Sequence, residues 1–299
     1  MTTSQASLGP SPTVPKLLTI PRELRDEIYE WAFSDVLPSS TSPLAQLDRE
    51  RVQYLASDTN TYYGEGANRY PKHTSLPPTH SLLQTSRQMR AEVLDSIRRI
   101  TNGKVRYRID LAQRTDKYKL YPTWISVPLF TNKVDVLEVN FRIREGKTGS
   151  MISVCGDQYD DDVDTFMAGL VLLRRFIERG VFFLSKKKAR TVTLGQLLIK
   201  VSTPPNWRNE GEEVVERLEA WLCGEGNPYV EDEDWKGTDE LIGFLGGKIG
   251  ELRLDYNGKT MADWVLKDLM ERRDRNMATI RKEGQENQPE APPQAPTSS

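Results

Sequence analysis

The chain has 299 residues, 37% of them hydrophobic, and its 41 Lys+Arg against 43 Asp+Glu leave a formal charge of −2. That length gives one large or two ordinary domains, with enough apolar side chains to bury a core. A mean hydropathy of −0.58 and a longest apolar run of eight residues, Phe166–Leu173, exclude a membrane-spanning helix, which needs about 20 residues. The balanced charge argues against a nucleic-acid coat protein. Cys155 and Cys223, 68 positions apart, do not make a disulfide framework or a zinc site, and no glycosylation sequon occurs. The first fifteen residues carry no basic-then-apolar leader pattern, so the expected location is cytoplasmic, nuclear or both.

Residues 1–15 and 284–299 are Pro/Ser/Thr/Gln-rich and predict disordered tails. The first element, LLTIPRELRDEIYEWAF, reads as a helix with Pro21 in its first turn. Leu24, Ile28, Trp31 and Ala32 recur at i, i+4, i+7 and i+8 and predict one apolar face, with Leu17, Leu18 and Ile20 folding back on it. Residues 34–78 hold five prolines and a Gly64-Glu65-Gly66 turn; so long an irregular stretch reads as an insertion or binding loop, with a short strand or turn at 50–56.

Residues 81–100 predict the second helix. Met89, Val93, Ile97 and Ile100 share a face, Leu82 stands one heptad earlier, and Arg87, Arg90, Arg98 and Arg99 lie largely opposite. Asn102-Gly103 stops it. Val105, Tyr107, Ile109 and Leu111 then alternate with Arg106, Arg108 and Asp110, as in a half-buried strand. Further on, three strands repeat an alternating apolar pattern, Leu137-Val139-Phe141, Leu197-Ile199-Val201 and Leu252-Leu254-Tyr256. Helical segments follow them, at about 163–180, 212–223 and 260–282, the last expected to become solvent-projecting beyond Glu271. Strand–helix–strand order predicts a parallel sheet with helices packed on it.

Catalytic motifs are sparse. His73 and His80 both fall in or beside the Pro-rich stretch at a spacing that suits no metal site. Gly246-Gly247-Lys248 lacks the earlier glycine of a phosphate loop, and Ile249 stands where its Ser/Thr belongs, so it reads as a turn into the Leu252 strand. Asp160, Asp162 and Asp164 imitate the start of a calcium loop. Thr165 replaces the turn glycine and Val171 the glutamate, so helix-end electrostatics is the better account, with Arg174, Arg175 and Arg179 at the other end. No cofactor or metal is expected. Lys186-Lys187-Lys188-Ala189-Arg190 matches a short nuclear-import pattern. Residues 98–120 hold eight basic against two acidic residues. Arg98, Arg99, Lys104, Arg106 and Arg108 therefore form a candidate basic patch for an acidic peptide or, less in keeping with the overall charge, nucleic acid.

Two segments resemble a known family. Leu17 to Tyr29 (LLTIPRELRDEIY) resembles the "LPxELRxxIY" opening of F-box-like domains of filamentous fungi. Leu82 to Glu92 (LLQTSRQMRAE) looks like their companion "LLxTCRQxRxEA" segment, with Ser86 where Cys is frequent. Together the pair is similar to a largely uncharacterised fungal family defined by two Glu-x-Arg motifs. Glu23-Leu24-Arg25 matches the first, and Gln88-Met89-Arg90 is an altered form of the second. The resemblance implies a helical module in which Ile20, Pro21, Leu24 and Ile28 pack near Leu82, Ser86 and Met89. In authentic F-box proteins the equivalent surface docks on a Skp-type adaptor of a cullin ubiquitin ligase, while the C-terminal region selects a substrate. Here Met89 replaces the usual tryptophan, and 45 residues separate helices that are normally close.

The expected fold is α+β or α/β. An F-box-like helical module (16–104) with its insertion at 34–78 precedes a sheet with packed helices (105–283). The expected function is a non-enzymatic protein-interaction adaptor. Its candidate partner-binding residues are Ile20, Pro21, Leu24, Ile28, Leu82, Ser86 and Arg87, which either contact a Skp-type adaptor or form the domain's own core. The alternative is a peptide- or nucleic-acid-binding module that uses 98–120.

Overall fold

The computed structural model describes residues 16–33, 51–53, 68–71, 78–114, 119–144, 163–182, 191–202, 215, 218–220, 222–224 and 240–286. A single 3-10 turn, Lys16–Thr19, leads into helix α1, Arg22–Phe33. Strands β1 (Arg51–Gln53) and β2 (Arg69–Pro71) pair antiparallel. Helices α2 (Pro78–Leu83) and α3 (Arg87–Ile100) follow. Ser86 caps α3 by accepting the Met89 N–H at 3.2 Å, which satisfies one of the backbone donors stranded at a helix start. At the other end Asn102 and Gly103 take positive φ (50° and 76°), and the Gly103 N–H reaches the Arg98 carbonyl at 2.8 Å. That closes the helix as the Asn-Gly pair predicts.

The α/β expectation holds. Strands β3 (Arg106–Arg114), β4 (Lys119–Ser126), β5 (Lys133–Arg144), β6 (Thr193–Ser202), β7 (Ile249–Tyr256) and β8 (Lys259–Val265) form one sheet in the order β4-β3-β5-β6-β7-β8. Helix α4 (Val163–Arg179) lies in sequence between β5 and β6, and helix α5 (Leu266–Glu286) follows β8. The four inner strands β3, β5, β6 and β7 are parallel neighbours, and β4 and β8 close the edges antiparallel. The register aligns the alternating apolar residues in rows. Ile109, Val139, Ile199 and Leu254 stand side by side, as do Tyr107, Leu137, Leu197 and Leu252. These rows join α4 (Val171, Leu172, Phe176, Ile177) and α5 (Leu266, Leu269) in one large core. Tyr107, Trp124 and Phe176 meet ring to ring at 5.3–6.1 Å, the offset and edge-on contacts that aromatic quadrupoles favour.

A second, smaller core joins Tyr29, Met89, Val93 and Ile97 with the partly buried Leu17, Leu18, Leu82 and Leu83. It sits between α1, α2 and α3. Ile100, expected on that face, is instead exposed at the helix end. Most of 34–78 lies outside the described residues, as do the Lys186–Arg190 motif, His73, Cys155 and the aspartates at 157–162. Where the 34–78 stretch is described, β1 and β2 pair as a separate two-stranded sheet that meets the large one. Asn68 bridges Leu120, and Tyr70 is fully buried in the large core.

Four readings of the sequence are corrected. Residues 259–265 form a strand, where a helix starting at 260 was expected. Asn257 and Gly258 both take positive φ (47° and 84°), which makes the tight two-residue turn that an antiparallel hairpin needs. Trp264 then packs beside Leu252. Strand β4 goes unanticipated because Pro122 interrupts its pattern; β4 is the edge of the six-stranded sheet, where proline is tolerated. The last helix stays packed beyond Glu271: Arg273 is buried, and Asn276 donates to the Cys223 carbonyl at 2.9 Å. Arg175, assigned to helix-end charge, is buried with its guanidinium 5.0 Å from the Tyr70 ring centre.

Where β5, β6 and β7 begin, the backbones approach closely. A methyl on Gly195 would lie 2.7 Å from the Asp135 carbonyl oxygen, and one on Gly250 would lie 2.6 Å from that of Gly195. Backbone oxygens within a ladder have little room to yield. Gly195→Ala is expected to cost about 1–3 kcal/mol, read as a lower urea midpoint with unchanged slope.

Candidate functional site

Helix α1 does not bury the face its apolar residues mark. Arg25 and Tyr29, one turn apart, point at α3 and are buried, whereas Leu24 (49% exposed), Ile28 (41%) and Trp31 (84%) face outward. Burying an arginine costs free energy unless its charge and donors are all met. Here they are met. Arg25 Nε donates to Glu92 Oε2 at 2.8 Å and Nη2 to Oε1 at 2.7 Å, a two-pronged pair. Its Nη1 donates to the carbonyls of Leu18 and Ile20, which ties the 3-10 turn to the helix pair. Glu92 also accepts from the Tyr29 hydroxyl at 3.2 Å and from Gln88 at 3.0 Å.

A more exposed layer surrounds this centre. Arg22 pairs with Asp26 at 2.8 Å and with Asp95 at 3.0 Å, and Arg99 reaches Asp26 at 2.7 Å. Ser96 donates to Asp26 at 3.0 Å. Burial pushes the Glu92 carboxyl up. Hydrogen bonds from Arg25 and Gln88, with the Arg25 charge, outweigh it and hold the group below the usual carboxylate range. Asp26 is likewise held low, burial being opposed by Arg99, Ser96 and Arg22. Burial, then the Glu92 charge, raises the Tyr29 phenol, so Tyr29 is a neutral donor. The arrangement is a locked ionic joint between helices, with the apolar stripe of α1 turned out by the lock.

The other candidate positions separate accordingly. Pro21 and Arg87 are exposed, Ile20 is half-buried, Leu82 packs into the small core and Ser86 is the α3 cap. The expected packing of Pro21, Leu24 and Ile28 against Leu82, Ser86 and Met89 is therefore corrected: Leu17, Leu18 and Tyr29 take those places. The basic segment is split by the turn at Asn102-Gly103. Arg98 and Lys104 are exposed, Arg99 is engaged by Asp26 and Asp95, and Arg106 and Arg108 lie on the sheet beside Glu138.

Arg25, Glu92 and Tyr29 escape a reading by periodicity, which assigns charged residues to solvent. The available signal was the opposite charge of Glu23-Leu24-Arg25 and Arg90-Ala91-Glu92 inside the two motif segments. Among the described residues no group of three His, Cys, Asp or Glu could hold a metal ion, and no helix is long and apolar enough to cross a membrane. Cys223 is buried.

Replacing Glu92 by Leu strands a buried guanidinium and is expected to cost about 3 kcal/mol in thermal or urea unfolding. Adding Arg25→Met to that variant should restore part of the loss. The sign of the pH dependence follows from the lowered Glu92 value. Its contribution is complete above the unfolded value of 4.5 and is lost as pH falls through the lower folded value. Glu92→Leu should therefore flatten the acid limb of a circular-dichroism stability profile. Compared with known proteins, the chain matches no family model, no curated protein and no solved structure.

Proposed function

We propose that the chain is a non-enzymatic protein-interaction adaptor that docks a partner on the outer face of α1. The observation that carries this reading is the exposure of Leu24, Ile28 and Trp31 at i, i+4 and i+7 on one helix. A large aromatic and two aliphatic side chains at that spacing form a groove-binding stripe. Leaving them in water forgoes burial that α1 could otherwise have made against α3. Tryptophan is also the residue most enriched among those that dominate interface energy.

The resemblance of the two motif segments to F-box-like domains supports a Skp-type adaptor as the occupant, and a substrate-recognition role in a cullin ubiquitin ligase. Pro21 and Arg87, both exposed, are free of the small core and open to the same partner.

Because the stripe is outside the small core, its residues are open to substitution without unfolding. Leu24→Asp and Trp31→Asp are expected to change stability by no more than about 0.5 kcal/mol while abolishing retention of the Skp-type adaptor in a pull-down. Folded wild-type protein that retains no such adaptor would remove the ligase reading. Partners recovered by affinity purification that are indifferent to both substitutions would remove the α1 docking reading as well.

A further inference from the structure

A second surface, separate from α1, lies on the sheet face opposite the large core. At β3, β5 and β6 this face presents Arg106, Arg108, Arg142 and Lys200 over two carboxylates, Glu138 and Asp110. Both acids are almost completely buried. Lys200 Nζ lies 2.8 Å from Glu138 Oε1, and Arg108 Nε lies 3.6 Å from the same oxygen. Arg106 Nη2 meets Oε2 at 2.5 Å. Arg142 grips both oxygens of Asp110, with its Nε at 2.6 Å. Burial pushes the Glu138 carboxyl up, but the hydrogen bond from Lys200 and the charges of Arg106, Lys200 and Arg108 outweigh it. Glu138 is thus an anion at neutral pH, buried beneath the cations it gathers.

Four cations surround the two buried acids, and their side chains are 27–48% exposed against 4–5% for Glu138 and Asp110. Asp255, opposite Lys200, is itself paired with Arg253. The buried acids hold the cationic ends in place, so a guest would meet side chains whose freedom is already reduced. The register explains the gathering. Arg108 stands directly opposite Glu138, and Asp110, Asn140 and Lys200 stand side by side on β3, β5 and β6, with Arg142 two residues further along β5.

We propose that this face docks an acidic, Asp/Glu-rich peptide segment of a protein partner. Charge complementarity names the occupant: carboxylates fit the forked donors of Arg106 and Arg142 and the ammonium of Lys200. One feature of the same face disfavours single-stranded nucleic acid. Tyr121, paired with Ala112 at the β3–β4 end, is fully buried and offers no platform for a base. The proposal does not depend on α1.

The test is fluorescence anisotropy of the full chain with a labelled polyglutamate peptide of about a dozen residues and, in parallel, an oligothymidylate of similar length. The peptide is expected to bind and to weaken about tenfold when salt rises from about 0.05 to 0.3 M. Arg142→Gln/Lys200→Gln should weaken it by a similar factor, and Trp31→Asp should leave it unchanged. Peptide affinity equal in the double variant and wild type, or lost in Trp31→Asp, would overturn the proposal, as would tighter binding of the oligothymidylate. Should the double variant fail to fold, amide chemical shifts of the wild type decide. Perturbations centred on β3, β5 and β6 support the site, and perturbations elsewhere, or none, sink it.

Discussion

The Arg25–Glu92 pair sets the rotation of α1, and most of what distinguishes the N-terminal unit depends on that rotation. A helix has only one face to give to a neighbour. With an arginine at the buried position, the contact must supply a carboxylate at matching height on the facing helix, and Glu92 does so 67 residues away. The guanidinium then has donors left for the carbonyls of Leu18 and Ile20, which brings Leu17 and Leu18 into the small core. The same choice turns Leu24, Ile28 and Trp31 outward. An ordinary amphipathic helix would have used those three as its core and left Arg25 in water. A buried ion pair is a poor way to gain stability, since apolar residues of equal volume do as well or better. Its value lies in orientation: only one rotation of α1 satisfies both groups.

The sheet obeys a different logic. Its core face is apolar and continuous across four parallel strands, so its stability is spread over many contacts. Its other face alternates arginines with buried acids, and each buried acid is matched by cations from its own or a neighbouring strand. Parallel sheets usually bury apolar side chains on both faces. Here the polar rows of β3, β5 and β6 replace the second apolar layer with a charge ladder. One face builds the fold, and the other is a surface of ordered charge.

Legibility in the sequence followed the strength of the period. Alternation in Val105–Leu111 and in the three later strands was unambiguous, and so was the parallel order that their helical connections impose. The 3.6 period of Met89, Val93 and Ile97 was equally secure, because α3 buries that face except for Ile100 at its end. Failures arose where a short-range signal competed with a longer one. Met261, Trp264 and Val265 read as helical spacing, yet the Asn257-Gly258 turn converts the same residues into a strand that returns along β7. Pro122 concealed an edge strand. On α1, periodicity put Leu24, Ile28 and Trp31 on one face, but that face is exposed, not folded against the turn before it. Only a long-range charge match, invisible to local pattern, could have corrected it.

The turn at 101–104 has a mechanical meaning. Thr101 and Asn102 bond back to Ile97 and Arg99, Gly103 to Arg98 and Lys104 to Thr101, and Asp135 accepts the N–H of Val105. Helix α3 therefore enters β3 through a hydrogen-bonded corner with no slack chain. A flexible tether lets two guests sample many separations, so their mutual effective concentration depends on linker length. A stiff corner makes it a fixed property of the molecule. The corner ties the end of α3 to the start of β3, and turning one against the other would mean breaking its hydrogen bonds rather than stretching a linker.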